Sequence, residues 1–137
     1  MSTKPLIAVH GLNTFYDASH ILRDVTLELR EGETLGLMGR NGMGKTTLLR
    51  TIMGLVKPRS GRVSVAGRDV TGEASFRIAQ QGLAYVPEGR GIFATLSVLE
   101  HLQIAERTGV DGSRDWTLQR VLDLFPRLRE RLGHRGD

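Results

Sequence analysis

The sequence predicts an α/β fold in which an antiparallel β layer leads into a strand–loop–helix core, followed by a helical part. Three observations predict it. Ile21 to Arg30 alternates, with Val25, Leu27 and Leu29 on one face and Thr26, Glu28 and Arg30 on the other, the period of a half-buried strand. The run Gly39-Arg40-Asn41-Gly42-Met43-Gly44-Lys45-Thr46-Thr47 joins a short apolar stretch to a helix-like one. Ser97 followed three residues later by Glu100 opens a helical pattern in the last third of the chain, the arrangement of a capping box.

The elements follow in order. Leu6-Ile7-Ala8-Val9 reads as a first strand, and Gly11 to Asp17 as a turn or loop carrying Phe15 and Tyr16. Ile21 to Arg30 is the alternating strand, and Glu31-Gly32-Glu33 is a tight turn. Glu33-Thr34-Leu35-Gly36-Leu37-Met38 is predicted to be a buried strand feeding the glycine-rich loop. Leu48 to Met53 keeps apolar residues at helical spacing and ends at Gly54, a residue that stops helices well. Lys57-Pro58-Arg59-Ser60-Gly61 is a break, and Arg62 to Gly67 is a strand ending in a glycine turn. Ala74 to Gln80 is a short helix. Leu83-Ala84-Tyr85-Val86-Pro87 is a short buried strand stopped by proline, and Glu88-Gly89-Arg90-Gly91 is a polar loop. The helix after Ser97 runs to about Arg107. Asp115 is predicted to cap a last helix carrying Leu118, Val121, Leu122 and Leu124, which Pro126 ends or kinks. The whole chain, 1–137, reads as a single domain. Its β layer and core extend to about residue 95, and its helical part begins at about residue 96.

The glycine-rich run fits the phosphate-binding pattern G-x-x-x-x-G-K-[ST]. A triphosphate needs many inward donors, and backbone amides supply them when the chain curls around it. Gly39, Gly42 and Gly44 permit that curl, and the helix opening at Lys45 adds unpaired amides and a partial positive charge. Lys45 is expected to reach the β and γ phosphates, and the Thr46 hydroxyl to ligate Mg²⁺. Arg40, Asn41, Met43 and Thr47 complete the expected cradle. The motif predicts that ATP or GTP is bound.

Composition bounds the rest. The chain holds no cysteine, which removes disulfides and Cys-based zinc sites. No apolar run approaches the ~20 residues of a membrane-spanning helix, and the N-terminus does not read as a secretory signal. A cytosolic location is expected. The net charge of +4 permits nucleic-acid or anionic-lipid binding without demanding it. Arg127, Arg129, Arg131 and Arg135 crowd near the C-terminus with no interleaved aromatics, so a solvated helix end is the simpler reading and no nucleic acid is expected as a partner. His10, His20, His101 and His134 show no metal-ligand spacing.

Leu37 to Leu49, Gly54 to Gly61 and Leu83 to Arg90 together resemble the N-terminal half of an ATP-binding subunit of an ABC transporter. The run Pro87-Glu88-Gly89-Arg90 resembles the branch serving branched-chain amino acid importers and the similar urea importers. The resemblance covers essentially the whole chain and implies ATP, with Mg²⁺, as the ligand. It implies that Tyr16 stacks on adenine; ordinary loop packing is the competing reading. It places Glu88 where the family has a switch glutamine that senses the metal and γ-phosphate, giving Glu88 a metal-linked and catalytic role beside Lys45; a plain loop glutamate competes. It places Arg90, Ile92, Phe93 and Leu96 on a surface that docks transmembrane permease subunits; packing onto the chain's own helices competes for Ile92 and Phe93. It also implies a second ATP-binding subunit, as a homo- or heterodimer, and a location at the inner face of the cell membrane.

Other parts of the family pattern do not occur in this sequence: the four apolar residues followed by Asp-Glu, the Leu-Ser-Gly-Gly-Gln type signature and the late switch histidine. Val121-Leu122-Asp123-Leu124 lies in a helical pattern and lacks the following acid. The expectation is an incomplete ABC ATPase domain that binds nucleotide with turnover near background. Without the second carboxylate strand, a sheet edge and an apolar helix face should be uncovered. Two other functions compete with an importer motor: a soluble ABC-type ATPase acting on nucleic acid or ribosomes, and an inactive nucleotide-binding fragment.

Overall fold

A computed structural model describes residues 4–89, 91–109 and 111–136. They fall into two units, Met1–Tyr85 and Val86–Asp137. Arg90, one of the expected docking residues, lies outside the described residues.

The first unit is built on a four-stranded antiparallel sheet of order β2-β1-β3-β4. Its strands are β1 (Ile7–Tyr16), β2 (Ser19–Leu29), β3 (Ser60–Val65) and β4 (Arg68–Asp69). Strand β1 is central, pairing Ile7 with Leu29 on one side and with Val65 on the other. It is longer than the predicted first strand and absorbs most of the predicted loop at 11–17. Gly11 bends the chain at φ 58°, and its amide donates to the Thr26 hydroxyl at 3.0 Å. The strand then resumes, burying Leu12 and Thr14 on one face. Asp17 and Ala18 make a two-residue turn, and Tyr16 pairs with Ser19.

Helix α1 (Lys45–Ile52) packs Leu48 and Ile52 into a core with Val9, Leu12, Leu22, Val63, Val65, Val70 and Ile78. Ile78 comes from α2 (Ser75–Ala79). The burial of these aliphatic side chains is the main force holding helix to sheet. One polar link runs through the same contact. The Thr51 hydroxyl donates to the Thr47 carbonyl at 2.8 Å, and the Thr14 hydroxyl lies 3.3 Å from Thr51 Oγ1. With the Thr51 proton committed to a carbonyl, Thr14 is the donor between the two hydroxyls.

The expected strands at 33–38 and 83–87 do not form. Both runs are irregular, and among the described residues only Glu33 has a backbone partner, its amide donating to the Arg30 carbonyl at 3.1 Å in the preceding turn. A strand is stable only when its amides and carbonyls are paired, and apolar composition does not substitute for that. Leu35 and Leu37 are exposed, and Met38 is 95% exposed.

The second unit contains α3 (Val98–Ala105), α4 (Leu118–Leu124) and α5 (Pro126–Arg129). The capping box at Ser97 and Glu100 is present as expected. The Ser97 backbone amide and hydroxyl donate to the Glu100 carboxylate and hold its pKa below the usual carboxylate range. Two further α3 amides, those of Val98 and Leu99, donate to the His134 and Leu132 carbonyls of the C-terminal segment. Helix α3 ends at Ala105 instead of reaching Arg107. The cap of α4 is Thr117, whose hydroxyl accepts from the Arg120 amide, while Asp115 offers only its backbone carbonyl to Arg120 Nη1. Asp123 lies on α4, accepts from Gln119 Nε2 at 2.8 Å and pairs with Arg129.

The hydroxyl pair yields a test. Thr51→Val leaves the buried Thr14 hydroxyl without its acceptor and should lower stability by about 1–3 kcal/mol. The double substitution Thr14→Val with Thr51→Val should recover most of that loss in urea unfolding followed by circular dichroism.

Candidate functional site

The glycine-rich run is a curl that ends in helix α1. Gly42 and Gly44 have φ of 81° and 90°, conformations a side chain resists. Gly44 is buried, and a Cβ there would lie 3.0 Å from Leu22 Cδ2 and 3.3 Å from Ile21 Cγ2. The end of the curl is thereby seated against β2. Arg40 and Met43 close the turn, with the Met43 amide donating to the Arg40 carbonyl at 3.3 Å.

Gly44 caps α1 without a side-chain hydrogen bond, and no acidic residue stands in the first turn. The first helical hydrogen bond runs from the Leu48 amide to the Gly44 carbonyl at 2.8 Å. The amides of Lys45, Thr46 and Thr47 precede it and have no partner within the helix. They form a donor set of the kind that accepts an anion.

Lys45 is half-buried, and its Nζ donates to the Gly39 carbonyl at 2.7 Å and the Arg40 carbonyl at 2.8 Å. An ammonium has three hydrogens, so one remains for a ligand. The charge sits inside the curl, held by the loop's own backbone. Thr46 is exposed at the second position of the helix, while Thr47 is buried against the core. Among the described residues no cluster of three or more His, Asp or Glu side chains could hold a metal ion. A Mg²⁺ at this site would therefore rest on the Thr46 hydroxyl, the ligand's own oxygens and water. Those oxygen donors suit a hard cation that keeps much of its hydration shell.

The two aromatics of the β1 hairpin have different surroundings. Phe15 is covered on both sides: His20 stacks on it with centroids 4.1 Å apart and planes 7° apart, and the Arg59 guanidinium lies 3.7 Å from its centroid. His20 is fixed in turn by Asn13 Oδ1 at 2.9 Å from Nε2. Tyr16, next along the strand, is 40% exposed. It sits on the hairpin whose second strand carries Ile21 and Leu22, the residues against Gly44. Tyr16 is thus the more open of the two aromatics.

Glu88, Ile92, Phe93 and Leu96 lie in the second unit. Glu88 is exposed in a bend. Ile92 and Phe93 are also exposed, Phe93 by 61%, and Leu96 is half-buried. The backbone amide of Phe93 donates to His101 Nε2 at 2.8 Å, and the two rings stack with centroids 6.0 Å apart.

The sequence reading missed Ile21 and Leu22 as the backstop of the curl. It also missed the Asn13–His20–Phe15–Arg59 assembly. The hairpin pairing of Phe15 with His20 was the available signal, and reading 11–17 as a loop concealed it.

A family model described as ABC transporter matches residues 22–134. A high-affinity branched-chain amino acid transport ATP-binding protein, BraG of Pseudomonas aeruginosa, is 35% identical over 96% of this chain and 56% of its own length. A Fe(3+) ions import ATP-binding protein of Haemophilus influenzae is 36% identical over 90% of this chain and 36% of its own length. A solved structure of an ATP-binding subunit of an ABC transporter superposes with a TM-score of 0.78 at 33% identity, covering 95% of this chain and 54% of that one. The chain thus spans about half the length, or less, of these relatives.

The seating of Gly44 generates a prediction. Gly44→Ala forces a Cβ into a left-handed conformation and against Leu22, and should cost about 1–2 kcal/mol. Thermal unfolding monitored by circular dichroism measures the loss.

Proposed function

Since the chain belongs to the ABC transporter family, we propose that it is the ATP-binding part of an importer for branched-chain amino acids or for urea and short amides. The observation that carries the ATP assignment is the curl at 39–47, with its free helix amides and the Lys45 ammonium held inside it. Residues 39 to 47 take the phosphates, Lys45 neutralises the β and γ oxygens, and Thr46 ligates Mg²⁺. Bound there, the metal would neutralise the growing phosphate charge. Tyr16 stacks on adenine, a role supported by its open face and by Phe15 being covered.

Glu88 takes the role of sensing the metal and γ-phosphate. A carboxylate in that role approaches the metal through water, because direct contact with the phosphate would repel it. Hydrolysis coupled to transport is the activity of the assembled importer, to which this chain contributes Lys45 and Glu88; by itself the chain turns ATP over near background. Asp123 is no candidate for the acid that orients water: it lies on a helix and is engaged by Arg129 and Gln119.

Transmembrane permease subunits and a second ATP-binding subunit are the proposed partners, at the inner face of the cell membrane. No described helix is long and apolar enough to cross a membrane. The exposed Ile92 and Phe93 supply an apolar contact for a permease. The choice of solute rests on the Pro87-Glu88-Gly89-Arg90 run and on the BraG likeness. The match to an iron importer shows that likeness in this half of the family does not fix a cargo.

Lys45→Ala should abolish binding of a fluorescent ATP analogue, and affinity held within about twofold would remove the phosphate assignment. Tyr16→Ala should weaken the same binding by about 1–3 kcal/mol. Introduced into the source cell, Lys45→Ala should depress uptake of labelled leucine or of labelled urea. Unchanged uptake of both rejects the importer reading.

A further inference from the structure

We propose that His101 is a pH-sensitive latch: its neutral ring holds the Ile92–Phe93 segment, and protonation of the ring releases it. The protonation state follows from the two hydrogen bonds alone. Nδ1 lies 2.8 Å from the Ser97 carbonyl, which can only accept, so Nδ1 carries the hydrogen. Nε2 lies 2.8 Å from the Phe93 backbone nitrogen, which can only donate, so Nε2 presents its lone pair. Both conditions are met by the neutral Nδ1–H tautomer and by no other form of the ring.

A proton added at Nε2 would face the Phe93 N–H directly. Two donors then oppose each other where a donor met an acceptor, and the amide must turn away. The ring has neighbours on two sides. It stacks on Phe93 on one side, and on another it lies so near Gly136 that a Cβ there would be 2.9 Å from Cε1. Its Nδ1 bond to Ser97 reaches back one turn of its own helix, which fixes the tilt of the imidazole.

The charged and titratable residues on the surrounding segments are few. Glu100 stands one residue before His101, its carboxylate engaged by the Ser97 amide and hydroxyl. His134 and Arg135 lie on the C-terminal segment that pairs with Leu96 to Leu99. Residues 91–96 carry no charge. Histidine is the side chain able to exchange one donor pattern for another near neutral pH. If Phe93 docks a permease, as proposed above, the latch makes that docking depend on pH; the latch itself stands without that reading.

Nuclear magnetic resonance of the 137-residue chain tests it with no partner present. At about pH 8, ring ¹⁵N shifts of His101 should show a protonated Nδ1 and a bare Nε2. A protonated Nε2 overturns the proposal. Hydrogen exchange at the Phe93 amide, corrected for intrinsic pH dependence, should lose at least about tenfold protection between about pH 8 and pH 5. His101→Phe keeps a stacked ring and removes both hydrogen bonds, so its Phe93 amide should be weakly protected at both values. Wild-type protection that does not change with pH, or the same fall in His101→Phe, overturns the latch. Should that variant not fold, the ring tautomer and wild-type amide decide alone.

Discussion

The contact of Gly44 with Ile21 and Leu22 is the joint on which the candidate site depends. It sets the end of the glycine-rich curl against the hairpin that carries Tyr16. A side chain there would press on Leu22 and Ile21 and hold a strained positive φ, which glycine adopts freely. Behind this joint, Leu48 and Ile52 seat α1 in the aliphatic core, and the Thr14–Thr51 hydroxyl pair fixes its rotation against β1. In front of it, Lys45 gathers the carbonyls of Gly39 and Arg40. The curl is therefore shaped by contacts within the chain before any anion arrives, and less ordering remains for a ligand to impose.

The two halves of the nucleotide reading draw on different kinds of rigidity. The phosphate end is backbone, constrained by left-handed glycines and a helix start. The aromatic end is a choice between neighbours on one strand. Phe15 is committed to a stack with His20 and Arg59 and serves as packing. Tyr16, its neighbour on the strand, is exposed.

Much of this was legible in the sequence, for physical reasons. The loop pattern, the helix after it and the Ser97–Glu100 box depend on interactions within a few residues, and each appears where the local chemistry placed it. The Ile21–Arg30 alternation was equally readable, because a half-buried strand marks its two faces. What failed depended on partners distant in sequence. Thr34 to Met38 and Leu83 to Val86 have strand composition, but a strand is made by its neighbour, and none pairs with them among the described residues. The Gly11–Asp17 segment failed the opposite way: its turn-like residues were overridden by pairing with β2 and β3. Asp115 lost the cap of α4 to Thr117 because both are good caps two residues apart, a difference local propensity does not resolve.

The unpaired run at 34–38 has a consequence for how this polypeptide behaves in bulk. Strand β2 is an outer strand, but Arg23, Asp24 and Glu28 stud it with charge, the usual guard against sticking edge to edge. Thr34-Leu35-Gly36-Leu37-Met38 bears no charge and no proline. Apolar and unguarded, this stretch is a place where molecules could stick at high concentration, and a charged residue placed there should raise solubility.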